Sequence, residues 1–302
     1  MTTPVPDVTN TYNFPAGKLF FLPPNLSRID EGGLRKHGLI TSGNLNKTGA
    51  FEQGRHDQPL ITIITVVFNG VQSIRNTIQS VVSQGYDNIE YIIIDGGSTD
   101  GTIDVIREYD NVIDYWVSEP DHGIYDAWNK GVALATGEWI GFLGADDIYL
   151  QGAIQSYIGL IATFSNTQVD YISSRANLVL NSKILRTIGQ KWNWKSFQKW
   201  MNVAHVGSLH HKSLYEKYGL YDLTYKLCGD YELLLRPRST LHAAYLDMIT
   251  VNMSVGGASD NLSAYLETER AKVLTGGRNF WLSRFERIFS IKKWQLRRLL
   301  WY

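Results

Sequence analysis

Cysteine is almost missing from this sequence: Cys228 is the only one in 302 residues. A lone thiol closes no internal disulfide, which excludes a disulfide-stapled scaffold and fits a reducing compartment. Net charge is missing too. The 29 Lys and Arg balance the 29 Asp and Glu, so no global field draws the chain towards nucleic acid. No apolar run approaches the roughly 20 residues of a membrane-spanning helix. The opening stretch MTTPVPDVTNTYNF lacks the basic-then-apolar pattern of a secretory signal. The expectation is a cytoplasmic protein, or one lying on a membrane from its cytoplasmic side.

Two motifs are absent as well. A dinucleotide-binding sheet needs Gly-X-Gly-X-X-Gly after its first strand, whereas the turn here reads Phe68-Asn69-Gly70-Val71-Gln72-Ser73. No phosphate loop ending in Gly-Lys-Ser/Thr occurs. A sugar-nucleotide-forming nucleotidyltransferase would want a Gly-rich basic loop at the same place, and Phe68–Arg75 does not supply one.

What is present is a regular alternation. Residues 1–58 are rich in Gly, Asn, Pro and Thr and read as an extension draped over a core or partly disordered. From Leu60 the pattern changes. Leu60–Phe68 is a β-branched run of buried-strand length, and Val71–Ser83 has helical spacing. A second strand, Ile89–Asp95, ends at Gly96-Gly97-Ser98-Thr99-Asp100-Gly101 and feeds a short helix. A third, Ile113–Ser118, precedes a helix over Ile124–Ala135, and a fourth, Trp139–Leu143, runs into Gly144-Ala145-Asp146-Asp147. Such spacing means βαβ units and an α/β fold with a mostly parallel, Rossmann-like sheet flanked by helices. Further on, helices are expected over Ala153–Phe164, Asp230–Leu235 and Ser263–Leu274, and strands over Tyr171–Leu180, Ile184–Ile188 and Ala243–Val255.

In an open parallel sheet the ligand site lies beyond the carboxyl ends of the strands. Here those ends carry Phe68-Asn69-Gly70, Asp95, Glu119-Pro120-Asp121 and Asp146-Asp147. Acidic groups converging on one rim repel unless a cation or proton intervenes, so the pattern favours a divalent cation. Asp100 alone reads better as a turn residue.

The pieces ITIITVVFNG, IEYIIIDGGSTDGT, SEPDHGIYDAWNKG, ATGEWIGFLGADD and HHKSLYEKYGLYDLTYKLCGDYELLLR, in this order and spacing, resemble the inverting glycosyltransferases of family 2. The likeness covers roughly Pro59 to Gly257 and points to bacterial enzymes of capsule, exopolysaccharide and O-antigen assembly. Glu31-Gly32-Gly33-Leu34-Arg35 resembles a segment upstream of the domain in that subgroup. The resemblance implies a GT-A fold over 59–258, with a nucleotide-sugar half at 59–150 and an acceptor half at 151–258. It implies that Thr65, Phe68, Asn69 and Asp95 line the base and ribose, that Asp126, Asn129 and Lys130 face the donor sugar and diphosphate, and that Asp146 lies near the ribose or donor sugar. Asp147 would ligate Mg²⁺ or Mn²⁺. Ala145 stands where some relatives have a further aspartate, which leaves more of the coordination to the diphosphate.

Asp230 matches the family's catalytic aspartate, with Glu232 as the fallback base. A carboxylate at a helix N-terminus is held ionised and aimed by the local dipole, which suits proton removal from an acceptor hydroxyl. His205 aligns with a histidine that contacts the diphosphate or acceptor, or is structural; His210 and His211 are taken as structural. The partners that the resemblance implies are a UDP-linked nucleotide-sugar donor and a lipid-linked or oligosaccharide acceptor. The reading from another class is a catalytically silent homologue that binds nucleotide or glycan.

The end of the chain, 259–302, is expected to be a helical tail. From Arg278 on it holds seven Lys or Arg against Glu286, interleaved with Phe280, Trp281, Phe285, Phe289, Trp294 and Trp301. A basic helix with an aromatic-rich face suits an anionic membrane surface; packing on the catalytic domain is the alternative.

Overall fold

The computed structural model describes residues 19–40, 43–44, 58–164, 167–256 and 262–301. The rest of the expected N-terminal extension, and the boundary expected near residue 258, lie outside the described residues. The described part of the extension is woven into the domain. Strand β1 (Asp30–Gly32) pairs antiparallel with the strand Tyr115–Ser118 and extends the sheet edge. It is followed by a small hairpin of β2 (Leu39–Ile40) and β3 (Gly43–Asn44). Buried Arg35 donates to Phe20 O, Leu134 O and Glu90 Oε1, and Glu90 also accepts from Thr62 and Thr136. Losing either partner of this buried pair would leave an uncompensated charge, so it ties the extension to the sheet.

The alternating core follows: β4 (Ile61–Val67), α1 (Ile74–Val82), β5 (Ile89–Asp95), α2 (Thr102–Arg107), β6 (Tyr115–Ser118), α3 (Ile124–Leu134) and β7 (Trp139–Gly144). Then come β8 (Ile148–Tyr149), α4 (Ala153–Ile161), β9 (Tyr171–Leu180), β10 (Lys183–Ile188), α5 (Trp194–Phe197), β11 (Leu209–His211), α6 (Ser213–Tyr218), α7 (Gly229–Leu235) and β12 (Ala243–Ser254). Helices α8 (Leu262–Leu274) and α9 (Phe280–Trp301) close the described chain.

The sheet order is β1-β6-β5-β4-β7-β11-β9-β12-β8, with β10 on β9. Strands β6, β5, β4 and β7 are parallel neighbours, and β9 and β12 are parallel as well. Alternation along each central strand splits the core into two layers. Ile64, Val66, Ile92 and Ile94 point to the face that carries α3 and α7. Ile61, Ile63, Ile93 and Trp116 point to the face of α1 and α4. Gly131 lets α3 approach β4, since a Cβ there would meet Ile64 Cγ2 at 2.5 Å.

The strand order turns back between β4 and β7. Parallel sheets splay apart at such a switch and leave a crevice at their carboxyl ends. That position sets the functional site.

Candidate active site

At the switch, β7 ends in Gly144-Ala145-Asp146-Asp147. The loop is tied down from two sides. Thr77 Oγ1 on α1 donates to Ala145 O and Asp147 O, both at 2.9 Å, and Ser254 Oγ on β12 donates to Asp146 O at 2.7 Å. Asp147 folds back so that Oδ2 accepts from Gly144 N at 3.2 Å and Oδ1 from Ser254 N at 3.0 Å. The glycine is required: a Cβ at 144 would lie 2.7 Å from Asp147 Oδ2. Asp147 is 4% exposed, and burial, then the adjacent Asp146, pushes its carboxyl up to about 7. Asp146 is exposed. Two adjoining carboxyls, one of them this reluctant to ionise alone, suit a bound cation. Among the described residues no group of three His, Cys, Asp or Glu is placed to hold a metal, so a cation here would draw further ligands from a bound molecule.

A cleft of about 550 Å³ opens over this pair, and Asp146, Asp147, Asp230 and His205 all line it. Asp230 is the second residue of α7, whose first turn brings it to the cleft wall. Its Oδ1 accepts from the Tyr125 hydroxyl at 3.1 Å and from Tyr231 N at 2.9 Å. Gly229 makes room for that tyrosine, because a Cβ there would touch the ring at 3.0 Å. Glu232 is differently placed. It does not line the cleft; Arg236 Nε and Nη2 chelate its carboxylate at 2.6–3.1 Å, and Thr275 Oγ1 adds a bond at 2.9 Å. A carboxylate so occupied is no proton acceptor, which removes the fallback base.

His205 stacks on Trp128 with centroids 4.8 Å apart, and its Nε2 lies 3.3 Å from the Tyr221 hydroxyl. Its Nδ1 is buried without a hydrogen-bond partner. Burial lowers its pKa against the pull of Asp230, which leaves a neutral imidazole in the wall. His210 is enclosed between Tyr215, with hydroxyl to Nδ1 at 2.8 Å, and Phe142. His211 bonds Ser213 Oγ at 2.8 Å, so both these histidines are engaged in packing and turns.

The residues expected around the nucleotide divide by exposure. Phe68 is 67% exposed at the end of β4, and Asn69 follows it with φ 52°. Asn69 ties the two strand-end loops together: its N donates to Ser98 Oγ at 2.7 Å and its Oδ1 accepts from Thr99 N at 2.9 Å. Asp100 caps α2 by accepting from Thr102 N and Oγ1 and from Val71 N. Thr65 and Asp95 lie beneath the rim, both 0% exposed. Thr65 Oγ1 bonds the Tyr91 hydroxyl at 3.1 Å; Asp95 accepts from Gly97 N, Ser98 N, Ser98 Oγ and Ser118 Oγ.

The α3 residues are also inward. Asn129 forms a reciprocal pair with the backbone of Tyr221, 2.9 Å in each direction. Lys130 Nζ lies 2.9 Å from Glu119, which Arg28 also reaches at 3.0 Å. Burial works against the Glu119 charge, but Lys130 and then Arg28 outweigh it and keep its pKa below the usual range. Asp126 Oδ2 accepts from His122 N at 3.0 Å, while Oδ1 is buried without a partner. Part of the acidic rim is thus already neutralised by the fold, and the Asp146–Asp147 pair is the part that faces the cleft.

Sequence reading missed several members of the wall. Tyr125 stands one residue before Asp126 on the same helix, so its position was visible but its partner was not. Trp128, Tyr265, Thr268 and Lys272 also line the cleft, the last three from α8, and no local pattern marks them.

The family description Glycosyl transferase family 2 matches residues 62–218. A PGL/p-HBAD biosynthesis glycosyltransferase of Mycobacterium bovis is 27% identical over 214 residues, covering 67% of this chain and 80% of that protein. An uncharacterized glycosyltransferase of Mycobacterium tuberculosis is 31% identical over 181 residues, covering 59% of this chain and 68% of its own length. Among solved structures, S. aureus TarS with UDP-GlcNAc superposes with TM-score 0.59 at 14% identity, covering 76% of this chain and 73% of that one. A Pyrobaculum calidifontis mannosyltransferase with GDP-Man and Mn²⁺ superposes with TM-score 0.51 at 16% identity, covering 72% and 62%. The fold is therefore that of the GT-A transferases.

Proposed function

Since the chain belongs to glycosyl transferase family 2, we propose that it is a metal-dependent inverting glycosyltransferase. In this reading it moves one sugar from a nucleoside-diphosphate sugar, UDP-linked, to a hydroxyl of a lipid-linked glycan in bacterial capsule, exopolysaccharide or O-antigen synthesis. The observation that carries it is the shared cleft: Asp146 and Asp147 on one part of its lining, Asp230 on another. The structural relatives solved with UDP-GlcNAc and with GDP-Man and Mn²⁺ support a nucleotide-sugar donor.

Inversion takes a single in-line displacement, so donor and acceptor must be held on opposite sides of the anomeric carbon. Asp230, fixed by Tyr125, takes the proton of the attacking hydroxyl. Asp147, with Asp146 beside it, would hold the cation, and Mg²⁺ or Mn²⁺ bound there would supply positive charge to the diphosphate of the donor. Exposed Phe68 and Asn69 meet the base and ribose, while enclosed Thr65 and Asp95 shape the floor beneath them. Asn129, Lys130 and Asp126 hold α3 and the 119–121 loop at the donor side. Neutral His205 stands in the cleft wall on the side of the diphosphate or acceptor.

The C-terminal helix adds the site of action. Trp281, Phe285, Ile288, Phe289 and Leu296 of α9 are exposed, beside exposed Arg284, Lys292 and Lys293. That combination suits the inner face of the cytoplasmic membrane, where a lipid-linked acceptor resides. No described helix is long and apolar enough to cross it.

A panel of nucleotide sugars tests the reading. Wild-type protein is expected to release nucleoside diphosphate from one of them with Mn²⁺ or Mg²⁺, and Asp147→Ala to lose that release. No release from any donor, with either cation and with glycan acceptors present, returns the protein to the silent-homologue reading.

A further inference from the structure

Helix α8 lies outside the residues matched by the family description, yet it grips the segment that carries the proposed base. The Glu267 carboxylate accepts three consecutive backbone amides. Lys226 N donates at 2.9 Å to Oε1 and 3.0 Å to Oε2, Leu227 N at 2.8 Å and Cys228 N at 3.2 Å to Oε2. Cys228 is the residue immediately before α7, and Asp230 is two residues further on. One turn along α8, Arg270 donates to Thr224 O and Oγ1 at 3.3 and 2.8 Å and lies 4.4 Å over the Tyr225 ring.

The amides of Thr224 and Tyr225 turn back onto Asp222, and those of 226–228 take Glu267 of α8 as their partner, with Arg270 holding Thr224 from the same helix. Convergent amides on a carboxylate make charge-assisted bonds, about twice as strong as neutral ones. These bonds set the backbone that leads into α7 and thereby the direction in which the first turn aims Asp230. A reacting group misplaced by about 1 Å costs on the order of a hundredfold in rate. Helix α8 is in turn held by α9 through Lys272–Glu286 at 3.3 Å and the Arg287–Glu269 pair, and Arg278 in the connection between them also pairs with Glu286.

We propose that Glu267 is a positioning residue for glycosyl transfer, which holds the 226–228 backbone so that Asp230 stays in the wall of the cleft that Asp146 and Asp147 line. The C-terminal hairpin is then part of the catalytic device and not only an appendage. This rests on the reading of Asp230 as the base.

Two measurements on full-length Glu267→Ala and Glu267→Gln separate the clamp from its consequence. Amide hydrogen exchange at 226–228 is expected to quicken at least tenfold in Glu267→Ala and less in Glu267→Gln, which keeps one acceptor oxygen. Exchange in β4, β5 and β7 stays as in wild type. Transfer kcat falls at least tenfold in Glu267→Ala and recovers in part in Glu267→Gln, while KM for the nucleotide sugar and the affinity for UDP with Mn²⁺ stay within twofold. A merely structural lesion would spread through exchange and donor affinity alike. Unchanged exchange overturns the clamp; quickened exchange with unchanged kcat overturns the positioning role. Should wild type turn over no nucleotide sugar, the glycosyltransferase reading fails on its own and the exchange data still decide the clamp.

Discussion

The Tyr125 hydroxyl donates to Asp230 Oδ1 at 3.1 Å across 105 residues of sequence. Burial raises the tyrosine pKa far above its usual value, and the neighbouring Asp230 charge raises it further. Tyr125 therefore keeps its proton at any working pH and acts as a permanent donor. Both hydrogen bonds to the Asp230 carboxylate fall on Oδ1, so in the proposed mechanism Oδ2 is the oxygen that takes the substrate proton.

Removal of that hydroxyl is the first prediction. A hydrogen bond to a charged group contributes roughly 1.5–3 kcal/mol, and each 1.36 kcal/mol is about tenfold in rate. Tyr125→Phe is expected to lower kcat roughly ten- to hundredfold with KM for the donor unchanged. Steady-state kinetics read both, and an unaltered kcat would detach Tyr125 from the chemistry.

Asp230 and Glu232 sit two residues apart and are expected to part company. Asp230→Asn should lower transfer by about 10²–10⁴, the usual contribution of a positioned base. Glu232→Gln breaks the chelation of Arg236 and should lower the melting temperature, yet leave kcat of the folded enzyme within a few-fold. Near-normal transfer by Asp230→Asn would shift the base elsewhere.

Acid should destabilise the protein through its buried histidines. Burial lowers the pKa of His205, and burial and then His205 lower that of His210 well below the ordinary value. At these two positions the unfolded chain binds more protons than the native one below about pH 6.5, so their contribution to stability falls as pH drops through that range. His210→Asn keeps a polar group near Tyr215 and removes one titrating site. Its melting temperature should decline less steeply between pH 6.5 and 5 than that of wild type; parallel curves would contradict the assignment.

The outer face of α9 gives the last prediction. Replacing Trp281, Phe285 and Phe289 by Ser should weaken sedimentation with phosphatidylglycerol vesicles at least tenfold and leave the melting temperature nearly unchanged, because these side chains are exposed. Equal sedimentation of the variant would exclude this face from membrane contact.

Much of this was legible in the sequence, for reasons that differ by element. Strand Ile89–Asp95 falls where the pattern puts it, since a fully buried parallel strand is rich in β-branched and aromatic residues, and the mixed strand Tyr171–Leu180 also falls at its expected bounds. Expected helices start or stop within three residues of the observed ends, as at Ile74–Val82 against Val71–Ser83. Short β11 (Leu209–His211) and α6 (Ser213–Tyr218) are not marked in the sequence, because a few residues of an antiparallel insertion carry too little periodicity. Arg35, in the Glu31–Arg35 stretch, proved to be a buried ion-pair partner of Glu90, which charge in a Gly-rich extension does not announce.

By itself the sequence determined the alternation of strands and helices, and with it the rim on which Asp146, Asp147 and the strand-end loops stand, because hydrophobic period and turn chemistry are local. Tertiary structure alone decided which acids face the cleft. It enclosed Asp95 in four hydrogen bonds, gave Glu119 to Lys130 and Glu232 to Arg236, and left Asp147 and Asp230 lining one cavity. The physical reason is that a carboxylate's role depends on the donors and cations that packing brings to it: an arginine one helical turn away occupies Glu232, whereas the partners of Asp147 and Asp230, Ser254 and Tyr125, lie 107 and 105 positions away.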